Sequence, residues 1–409
     1  MNDDGVNIKE LISARFQNPK FVYDGKRMRV LQERKVVDYT SGICTQRNKR
    51  WIEPLLVSTG FDLSAQILNL KSPELCYNDV SSLVTTKIEH VSVNKVKCPV
   101  NVVKWTPDGR RLMSGTATGE FTLWNGYGCN FETILQAHES PVRGMCWSPS
   151  GSFLISSDNF GIIKYWHPSM NNIQIIQGHM EAIRDLSFSH NDTKFCSASD
   201  DSTIKVWDSI EAKEESVLKG HNWDVRAAQW HRYKSLIASA GKDNLVKMWD
   251  PRIAEELCTL HHHKNTILAL KWMGDENYLL TGGKDQVIKM IDIRTMTDVF
   301  TYKNHKKEVT SIGIHPRHPD VFVSGGTEGG IYFWQAYNQE PLEIIDEGHE
   351  GTVWSLEYHP VGHILASGSV DQSVRFWVRP RPDENAEPAS GGIADGERMA
   401  YSEETIPGL

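Results

Sequence analysis

The chain has 409 residues and a mass of 46.3 kDa, enough for two or three average domains or for one large repetitive domain with a sizeable core. This length excludes a mini-protein. Hydrophobic residues make up 39% and charged residues 23%, and the mean hydropathy is -0.42, a composition that excludes an intrinsically disordered chain. The net charge of -8, from 44 basic and 52 acidic residues, taken alone argues against a nucleic-acid partner.

The sequence contains no recognisable membrane or export signal. No apolar stretch approaches the ~20 residues that a membrane-spanning helix needs, and Met1–Gly5 lacks the cationic start and apolar run of a secretory signal. We therefore expect an intracellular protein without membrane contact. The seven cysteines include no Cys-x-x-Cys spacing, which favours reduced thiols over a disulfide framework or a cysteine-based zinc site.

Residues 1–84 are predicted to form an N-terminal arm, and its first element is a short helix. Ile8, Leu11 and Ile12 share one helical face within Asn7–Phe16. An isolated helix of this length is marginal in water, so it needs a partner surface.

The next part of the arm is strongly basic. Residues 17–50 contain nine basic and three acidic side chains, and a turn signal at Asp24-Gly25 lies among cations and aromatic residues. This mixture suits phosphate contacts and base stacking on single-stranded nucleic acid. A solvated basic arm and a nuclear-import signal are the alternatives that the pattern leaves open.

A repeat of 41 to 43 residues occupies the rest of the chain as far as Val378. Its strand-end positions are Trp124, Trp166, Trp207, Trp249, Ile291, Trp334 and Trp377. Histidines recur upstream at His138, His179, His221, His263, His305 and His349. Short β-branched runs separated by turn-forming residues fill each interval, which predicts strands. With its Gly-His and Trp-Asp marks, the chain resembles the WD40 family over Lys87–Val378, which implies an all-β, seven-bladed propeller carrying an N-terminal basic arm.

The recurring polar residues are predicted to be structural. In this fold a His before the first strand, an Asp before the third and a Trp on the third can share one buried hydrogen-bond chain. The best-matching sets are His179, Asp201, Trp207; His221, Asp243, Trp249; and His349, Asp371, Trp377. Thr118, Phe160 and Glu328 replace the aspartate, so blades one, two and six are expected to have altered or absent networks.

The ends of the repeat region predict how the ring closes. After Trp377 the chain continues as Arg379-Pro380-Arg381-Pro382 and offers no strand pattern, so the last blade lacks its outer strand. Residues 85–92 are β-branched and long enough to supply it. The predicted domains are thus the arm 1–84, the propeller 85–378 and an acidic, disordered tail 379–409.

Motifs for catalysis are not found. The sequence has no Gly-x-Ser-x-Gly, no His-Glu-x-x-His and no phosphate loop, because Gly241-Lys242 and Gly283-Lys284 are each followed by Asp in a repeat turn. We expect a protein that is not an enzyme and needs no cofactor or metal. The run His261-His262-His263 resembles a zinc site, but His263 is in the repeat register, so a turn beside a structural histidine is favoured.

Several short motifs are more specific than the repeat. They are Asp24–Arg29, Asn94–Pro99, Gly119–Gly126, Asn130–His138, Lys164–Trp166, Met170–Asn172 and Trp354–Leu356. These stretches resemble the WD-repeat subunit of the cleavage and polyadenylation specificity factor, and the similarity extends from about Tyr23 to Arg381.

The resemblance implies a nuclear protein of mRNA 3′-end formation that recognises the AAUAAA signal of pre-mRNA. Its implied partners are a zinc-finger subunit and a large multi-propeller subunit. Family members hold a U–A pair of the bound hexamer between two aromatic rings, which motif position assigns to Tyr23 and Phe131, with Ile134 beside Phe131. The implied RNA-contacting cations are Lys26, Arg27, Arg29, Arg34 and Lys95. Phe131 is expected in a loop between blades, where a surface plug is its structural alternative.

Some positions depart from the family. Val93 stands where relatives tend to have Thr, which removes a hydroxyl, and residues 40–78 match poorly. A scaffold that binds only proteins and docks its basic arm on an acidic partner is the chief competing hypothesis. An adaptor that presents substrates to a modifying enzyme is a third.

Overall fold

The computed structural model describes residues 83–274 and 277–380. In these residues the chain forms seven four-stranded antiparallel sheets, and each sheet is one blade. The first strands of successive blades contact one another, and that of blade one also contacts that of blade seven, which closes a ring. The predicted all-β, seven-bladed propeller is confirmed, and no α-helix occurs within the described ranges.

The strands follow the chain from the innermost to the outermost position of each blade. Blade one contains β2 (Val100–Trp105), β3 (Arg111–Thr116), β4 (Glu120–Asn125) and β5 (Phe131–Gln136). Blade two contains β6 (Val142–Trp147), β7 (Leu154–Asp158), β8 (Ile162–Trp166) and β9 (Asn172–Gln177). Blade three contains β10 (Ile183–Phe188), β11 (Lys194–Ser199), β12 (Thr203–Asp208) and β13 (Lys213–Lys219). Blade four contains β14 (Val225–Trp230), β15 (Ile237–Gly241), β16 (Val246–Asp250) and β17 (Glu255–Leu260).

The remaining blades repeat this order. Blade five contains β18 (Ile267–Trp272), β19 (Tyr278–Gly283), β20 (Ile288–Asp292) and β21 (Thr297–Tyr302). Blade six contains β22 (Val309–Ile314), β23 (Val321–Gly326), β24 (Ile331–Gln335) and β25 (Glu343–Ile345). Blade seven contains β26 (Val353–Tyr358), β27 (Ile364–Ser369), β28 (Ser373–Val378) and, from the other end of the repeat region, β1 (Lys87–Val93).

The core lies between the blades and begins with a β-branched residue in every innermost strand. These residues are fully buried: Val100, Val142, Ile183, Val225, Ile267, Val309 and Val353. Valine and isoleucine restrict χ1 and pack well on a pleated surface, which is why the repeat places them at this tightly packed position.

The first described strand completes the last blade. β1 pairs antiparallel with β28, from Lys87 opposite Val378 to Val93 opposite Ser373. Just before β1, Leu83 is 2% exposed and packs against Val321 of blade six. The ring is therefore closed by pairing a strand from the start of the propeller with one from its end. This pairing satisfies the backbone groups of β28 that would otherwise form an exposed edge.

Each polar network is centred on a hydroxyl group. In blade four, the Trp249 indole N–H donates to Ser239 Oγ at 2.8 Å, Ser239 Oγ lies 2.7 Å from His221 Nε2, and His221 Nδ1 lies 2.7 Å from Asp243 Oδ2. The indole N–H donates to the hydroxyl, and because a carboxylate only accepts, the Nδ1–H of His221 donates to Asp243. The Trp thus reaches the His through a serine that the sequence analysis did not identify.

The same arrangement recurs in blades three and seven. His179 contacts Ser197 and Asp201, and His349 contacts Ser367 and Asp371, with each Nδ1–carboxylate distance at 2.7 Å. Burial lowers the pKa of His349, which favours the neutral imidazole.

The blades that lack the aspartate differ from one another. In blade two, Asp158 replaces the missing carboxylate and lies 3.2 Å from His138, although Phe160 holds the usual position. In blade six, Glu328 lies at a longer 3.4 Å from His305. Blade one has Thr118 in this register and no His, so Trp124 bonds only to Ser114 at 2.9 Å within its network. Only blade one has therefore lost the network.

Two of the three consecutive histidines at 261–263 form separate pairs with aspartates. His263 joins Asp285 at 2.9 Å and Thr281 at 2.7 Å in the network of blade five, and His262 lies 2.7 Å from Asp298. Across residues 83–274 and 277–380, no three His, Cys, Asp or Glu side chains are grouped to hold a metal. That part of the chain also contains no helix of the length and apolarity that crossing a membrane requires.

Candidate functional site

The predicted site residues fall into two groups. Tyr23, Lys26, Arg27, Arg29 and Arg34 lie outside the described residues, as do the predicted helix of the arm and the tail beyond residue 380. Lys95, Phe131 and Ile134 lie on blade one or next to it, and the site is built from them.

Phe131 is the first residue of the outermost strand of blade one, so its predicted place in a loop between blades is wrong. After β4 ends at Asn125, a short turn leads directly into this fourth strand, which pairs with β4 from Glu120 to Trp124. The aromatic and β-branched residues Phe131, Thr133 and Ile134 are the signal for it in the sequence. A strand position holds the ring more firmly than a loop would.

A β-bulge places Phe131 and Ile134 on one face of the sheet. Trp124 is opposite Phe131, but the preceding Leu123 is opposite Thr133, so Glu132 is the extra residue. Ile134 is opposite Thr122, which shares a face with Trp124 because alternate strand residues point the same way. Without the bulge, residues three apart would point to opposite faces. The predicted neighbourhood of Phe131 and Ile134 thus depends on the bulge.

Phe131 is an exposed ring supported from below by a buried one. It is 37% exposed, and it contacts Trp124 edge to face with the ring centroids 6.1 Å apart. Trp124 is 3% exposed and is fixed by its bond to Ser114. The ring of Phe131 therefore packs on a rigid neighbour and remains partly exposed.

Three of the other blades carry charge at the position of Phe131, whereas blade two has Asn172 and blade seven has Ile88 there. In blades three, four and five the matching residue is Glu214, Glu256 or Asp298, and each pairs with a lysine of the neighbouring strand. The Lys205–Glu214 and Lys247–Glu256 pairs measure 2.6 Å and 2.5 Å. Blade one replaces this solvated ion pair with an apolar aromatic surface.

Lys95 supplies a cation to that surface. Its Nζ lies 5.0 Å from the centroid of the Phe131 ring, within the range of a cation–π interaction. Lys95 follows β1, whose Ser92 hydroxyl donates to the Cys129 carbonyl at 3.1 Å in the turn that leads to Phe131. The closing strand thus holds the cation and the aromatic ring together.

The nearby carboxylate is neutralised. Glu132, next to Phe131, accepts from Arg111 Nε at 2.6 Å and from Asn125 Nδ2 at 2.8 Å. An anionic ligand at Phe131 would meet Lys95 and a carboxylate that is already paired. We call Lys95, Phe131 and Ile134 the blade-one site, and its chemistry suits a planar ring with a phosphate beside it.

The repeat pattern defines the class of protein. The family model of the WD40 repeat (WD domain, G-beta repeat) matches residues 129–167, 170–208, 212–250, 254–292, 296–335 and 340–378. The chain therefore belongs to the WD40 family. Each match covers the outer strand of one blade and three strands of the next, and the corresponding residues 87–125 carry neither the His nor the Asp of the network.

Curated relatives make the comparison more specific. The chain is 50% identical over 365 residues to "Polyadenylation factor subunit 2" of Cryptococcus neoformans, which covers 87% of this chain and 51% of the relative. Relatives of the same name are 42% identical in Candida albicans, covering 73% of this chain and 60% of the relative, and 38% identical in Neurospora crassa, covering 94% and 63%. These names confirm the resemblance to a WD-repeat subunit of 3′-end processing. The chain spans between about half and two thirds of these relatives' lengths.

Proposed function

We propose that this chain is a non-catalytic, nuclear WD-repeat subunit of the mRNA 3′-end processing machinery that helps to recognise the AAUAAA signal of pre-mRNA. The names of the relatives support the process, and the blade-one site supports direct RNA contact. The propeller acts as a rigid scaffold, and the basic arm adds charge to it.

One observation carries the RNA contact: an aromatic ring is exposed where three other blades have an ion pair. The ring of Phe131 is 37% exposed and lies beside the ammonium of Lys95, and this pairing of an exposed ring with a cation supports a ligand there. A stacked base would cover the ring, and base stacking on an aromatic side chain contributes about 1–3 kcal/mol.

In the proposed complex, Phe131 and Tyr23 hold the U–A pair of the hexamer between their rings, and Ile134 contacts its edge. The proposed cations, which face phosphates and base edges, are Lys26, Arg27, Arg29, Arg34 and Lys95. Arginine can donate in pairs to either target, and lysine acts as a point charge. The proposed partners are a zinc-finger subunit, which reads the rest of the hexamer, and a large multi-propeller subunit, on which the chain docks.

RNA binding by the full chain, assembled with these two subunits, tests the proposal. Phe131→Ala is expected to weaken binding of an AAUAAA oligonucleotide by roughly 5- to 100-fold, as loss of one stacked base predicts. Phe131→Tyr keeps the ring and is expected to bind normally. Phe160→Ala is the matched control, because Phe160 is also exposed, at 62%, but lies on blade two.

The competing function predicts a different result. If Phe131→Ala and Phe160→Ala bind the oligonucleotide as the unmodified chain does, the blade-one site does not read RNA. The propeller would then be a scaffold without an RNA contact at blade one, and the proposal would be wrong.

A further inference from the structure

A groove between blades three and four lies at the end of the ring where the innermost strands finish. It is lined by the turn between β10 and β11, the turn between β14 and β15, and the start of the turn between β16 and β17. Because neighbouring strands of a blade are antiparallel and all blades share one strand order, these turns and the turn before Phe131 lie at the same end of the propeller.

The groove is small. Its volume of about 130 Å³ is below the roughly 300–1,000 Å³ of a site that encloses a whole small molecule. It therefore suits one group of a larger ligand.

The turn between β14 and β15 departs from the repeat. At this position blades one and two have Pro-Asp-Gly and Pro-Ser-Gly, which are ordinary turn formers. Blade four instead has three exposed side chains in a row, those of Arg232, Tyr233 and Lys234. In the sequence, no other turn between a first and a second strand of a blade contains Phe, Tyr or Trp.

A buried histidine fixes this turn. His231 is 1% exposed, and its Nδ1 accepts from the backbone N–H groups of Tyr233 at 3.1 Å and Lys234 at 3.0 Å. The imidazole packs edge to face on Trp272, with the ring centroids 4.8 Å apart. The Leu236 N–H donates to the Lys234 carbonyl at 2.8 Å and tightens the turn. The exposed side chains thus extend from an ordered backbone, which lowers the entropy cost of binding a ligand.

Tyr233 contacts a cation and a second ring. The guanidinium carbon of Arg232 lies 5.5 Å from the centroid of the Tyr233 ring, within the range of a cation–π interaction. The ring of His190, from blade three, lies 5.1 Å from it between centroids. Tyr233 nevertheless remains 59% exposed. Blades three and four together therefore present an accessible aromatic surface beside a guanidinium group.

The lining carries an excess of positive charge. None of the lining residues is acidic, and four are basic: Lys194, Arg232, Lys234 and Arg252. Glu215 neutralises Lys194, and Asp250 pairs with Arg252 at 3.0 Å. Asp192, in the turn of blade three, accepts from the Ser150 N–H of blade two at 2.8 Å. Within residues 83–274 and 277–380, no carboxylate lies within 4.0 Å of Arg232 or Lys234, so both charges can meet an anionic ligand.

We propose that this groove binds a nucleotide of single-stranded RNA outside the AAUAAA hexamer, with its base against Tyr233 and a phosphate against Arg232 and Lys234. The inference rests on the proposed function for the identity of the RNA, and it adds a second point of contact on the propeller. Stacking on an aromatic ring and contact of phosphate with cations both accept any base, so the groove tolerates any flanking sequence.

A phosphorylated protein segment fits the groove less well. A phosphoryl group on Ser or Thr needs cations, but it offers nothing planar to the exposed ring of Tyr233. A nucleotide supplies a base and a phosphate together. Hydroxyl and amide groups that can bond to a sugar or a base edge complete the lining: Ser189, Asn191, Thr193 and Ser235.

Two labelled RNAs test the proposal by fluorescence anisotropy, with the full chain assembled with its zinc-finger and multi-propeller partners. One is AAUAAA alone, and the other is the hexamer flanked by about ten uridines on each side. The flanked RNA is expected to bind more tightly. Tyr233→Ala is expected to weaken the flanked RNA by roughly fivefold or more, as loss of one stacked base predicts, and to leave the hexamer unchanged. Tyr233→Phe keeps the ring and should bind both RNAs normally.

The phosphate contact has its own readout. Lys234→Ala should weaken the flanked RNA alone and should reduce the slope of its log affinity against log salt concentration by about 0.7. Phe160→Ala and Lys307→Ala are the matched controls, because both side chains are exposed in turns at the other end of the ring. Both controls are expected to bind as the unmodified chain does, and an unchanged melting temperature confirms that each variant folds.

The contrary outcomes are distinct. Equal affinity of the two RNAs, or an undiminished affinity of Tyr233→Ala for the flanked RNA, would overturn the proposal. So would a phosphoserine peptide whose binding is lost in Lys234→Ala while that of RNA is not, because the groove would then be a phosphoprotein site. If only the proposed function is wrong, Phe131→Ala leaves both RNAs unaffected, and Tyr233→Ala still weakens the flanked RNA, which supports the groove as an RNA site.

Discussion

Lys95 and Phe131 form one cation–aromatic pair at the junction between the last and the first blade, with the ammonium 5.0 Å from the ring centroid. Lys95 is placed by the strand that closes the ring, and Phe131 by the outermost strand of blade one. Closure of the propeller and assembly of the blade-one site are thus the same structural event.

The Lys95–Phe131 pair predicts that removing the lysine makes RNA binding less dependent on salt. Lys95→Ala should reduce the slope of log affinity for AAUAAA RNA against log salt concentration by about 0.7, because one phosphate contact is lost. Titrations of the assembled complex from low to physiological salt measure the slope. Lys213→Ala, which removes an exposed cation of the outer strand of blade three, serves as the control. An unaltered slope in Lys95→Ala would show that Lys95 does not face a phosphate.

Because a serine hydroxyl lies at the centre of each network, we expect Ser→Ala substitutions in blades four and one to lower the free energy of unfolding by different amounts. Ser239→Ala leaves the indole N–H of Trp249 and the Nε2 of His221 without a partner and should lower the free energy of unfolding by about 2–4 kcal/mol. Ser114→Ala removes a partner from Trp124 alone within its network and should cost about 1–2 kcal/mol. Urea unfolding followed by tryptophan fluorescence compares them. Equal losses would mean that the histidine adds nothing to the network.

The lowered pKa of Asp201 predicts how the stability of the fold changes in acid. Burial alone would raise its pKa, but hydrogen bonds from His179 and Thr203 outweigh burial and lower the pKa from 3.8 to about 2. Because the folded-state pKa is the lower one, Asp201 stabilises the fold above the unfolded-state pKa, and this contribution is lost as the pH falls from 3.8 toward about 2. Asp201→Asn should be less stable at pH 6 and should lose less further stability in that interval.

Unfolding transitions recorded from pH 6 to pH 2 test the role of Asp201. Parallel curves for the two proteins, separated by a constant amount, would contradict it.

Blade one should open first. It has Thr118 in place of the aspartate and lacks the histidine, whereas blade two recovers a carboxylate from Asp158 and blade six from Glu328. Hydrogen exchange followed by mass spectrometry should show faster exchange in β3 and β4 than in β11 and β12 of blade three. Uniform protection around the ring would contradict this.

Much of the fold can be predicted from the sequence because the repeat is periodic and its marks are chemically distinctive. Trp207, Trp249 and Trp377 with their histidines predict blades and networks before any coordinates are known. The serine at the centre of the network was not recognised, although Ser197, Ser239 and Ser367 stand at a constant spacing, because a serine in a strand is unremarkable by composition.

The rest depends on local backbone geometry that a pattern does not reveal. The sequence predicts a loop at Phe131, where the outer strand begins. It does not reveal that Asp158, at the end of β7, supplies the carboxylate of blade two from two positions before the usual one. Arg143, Arg184 and Arg226, each the second residue of an innermost strand, lie at bulges, and a shift of one residue leaves no mark in the hydrophobic pattern.

Crosslinking is the most direct test of the proposal that the propeller positions RNA while aromatic rings read it. The measurement uses 4-thiouridine at the single uridine of AAUAAA, bound to the full chain assembled with its zinc-finger and multi-propeller partners, and maps the crosslinked residues by mass spectrometry. We predict crosslinks at Phe131 and at Tyr23 that a scrambled hexamer does not give. Crosslinks confined to the partner subunits, with none at either ring, would contradict the account.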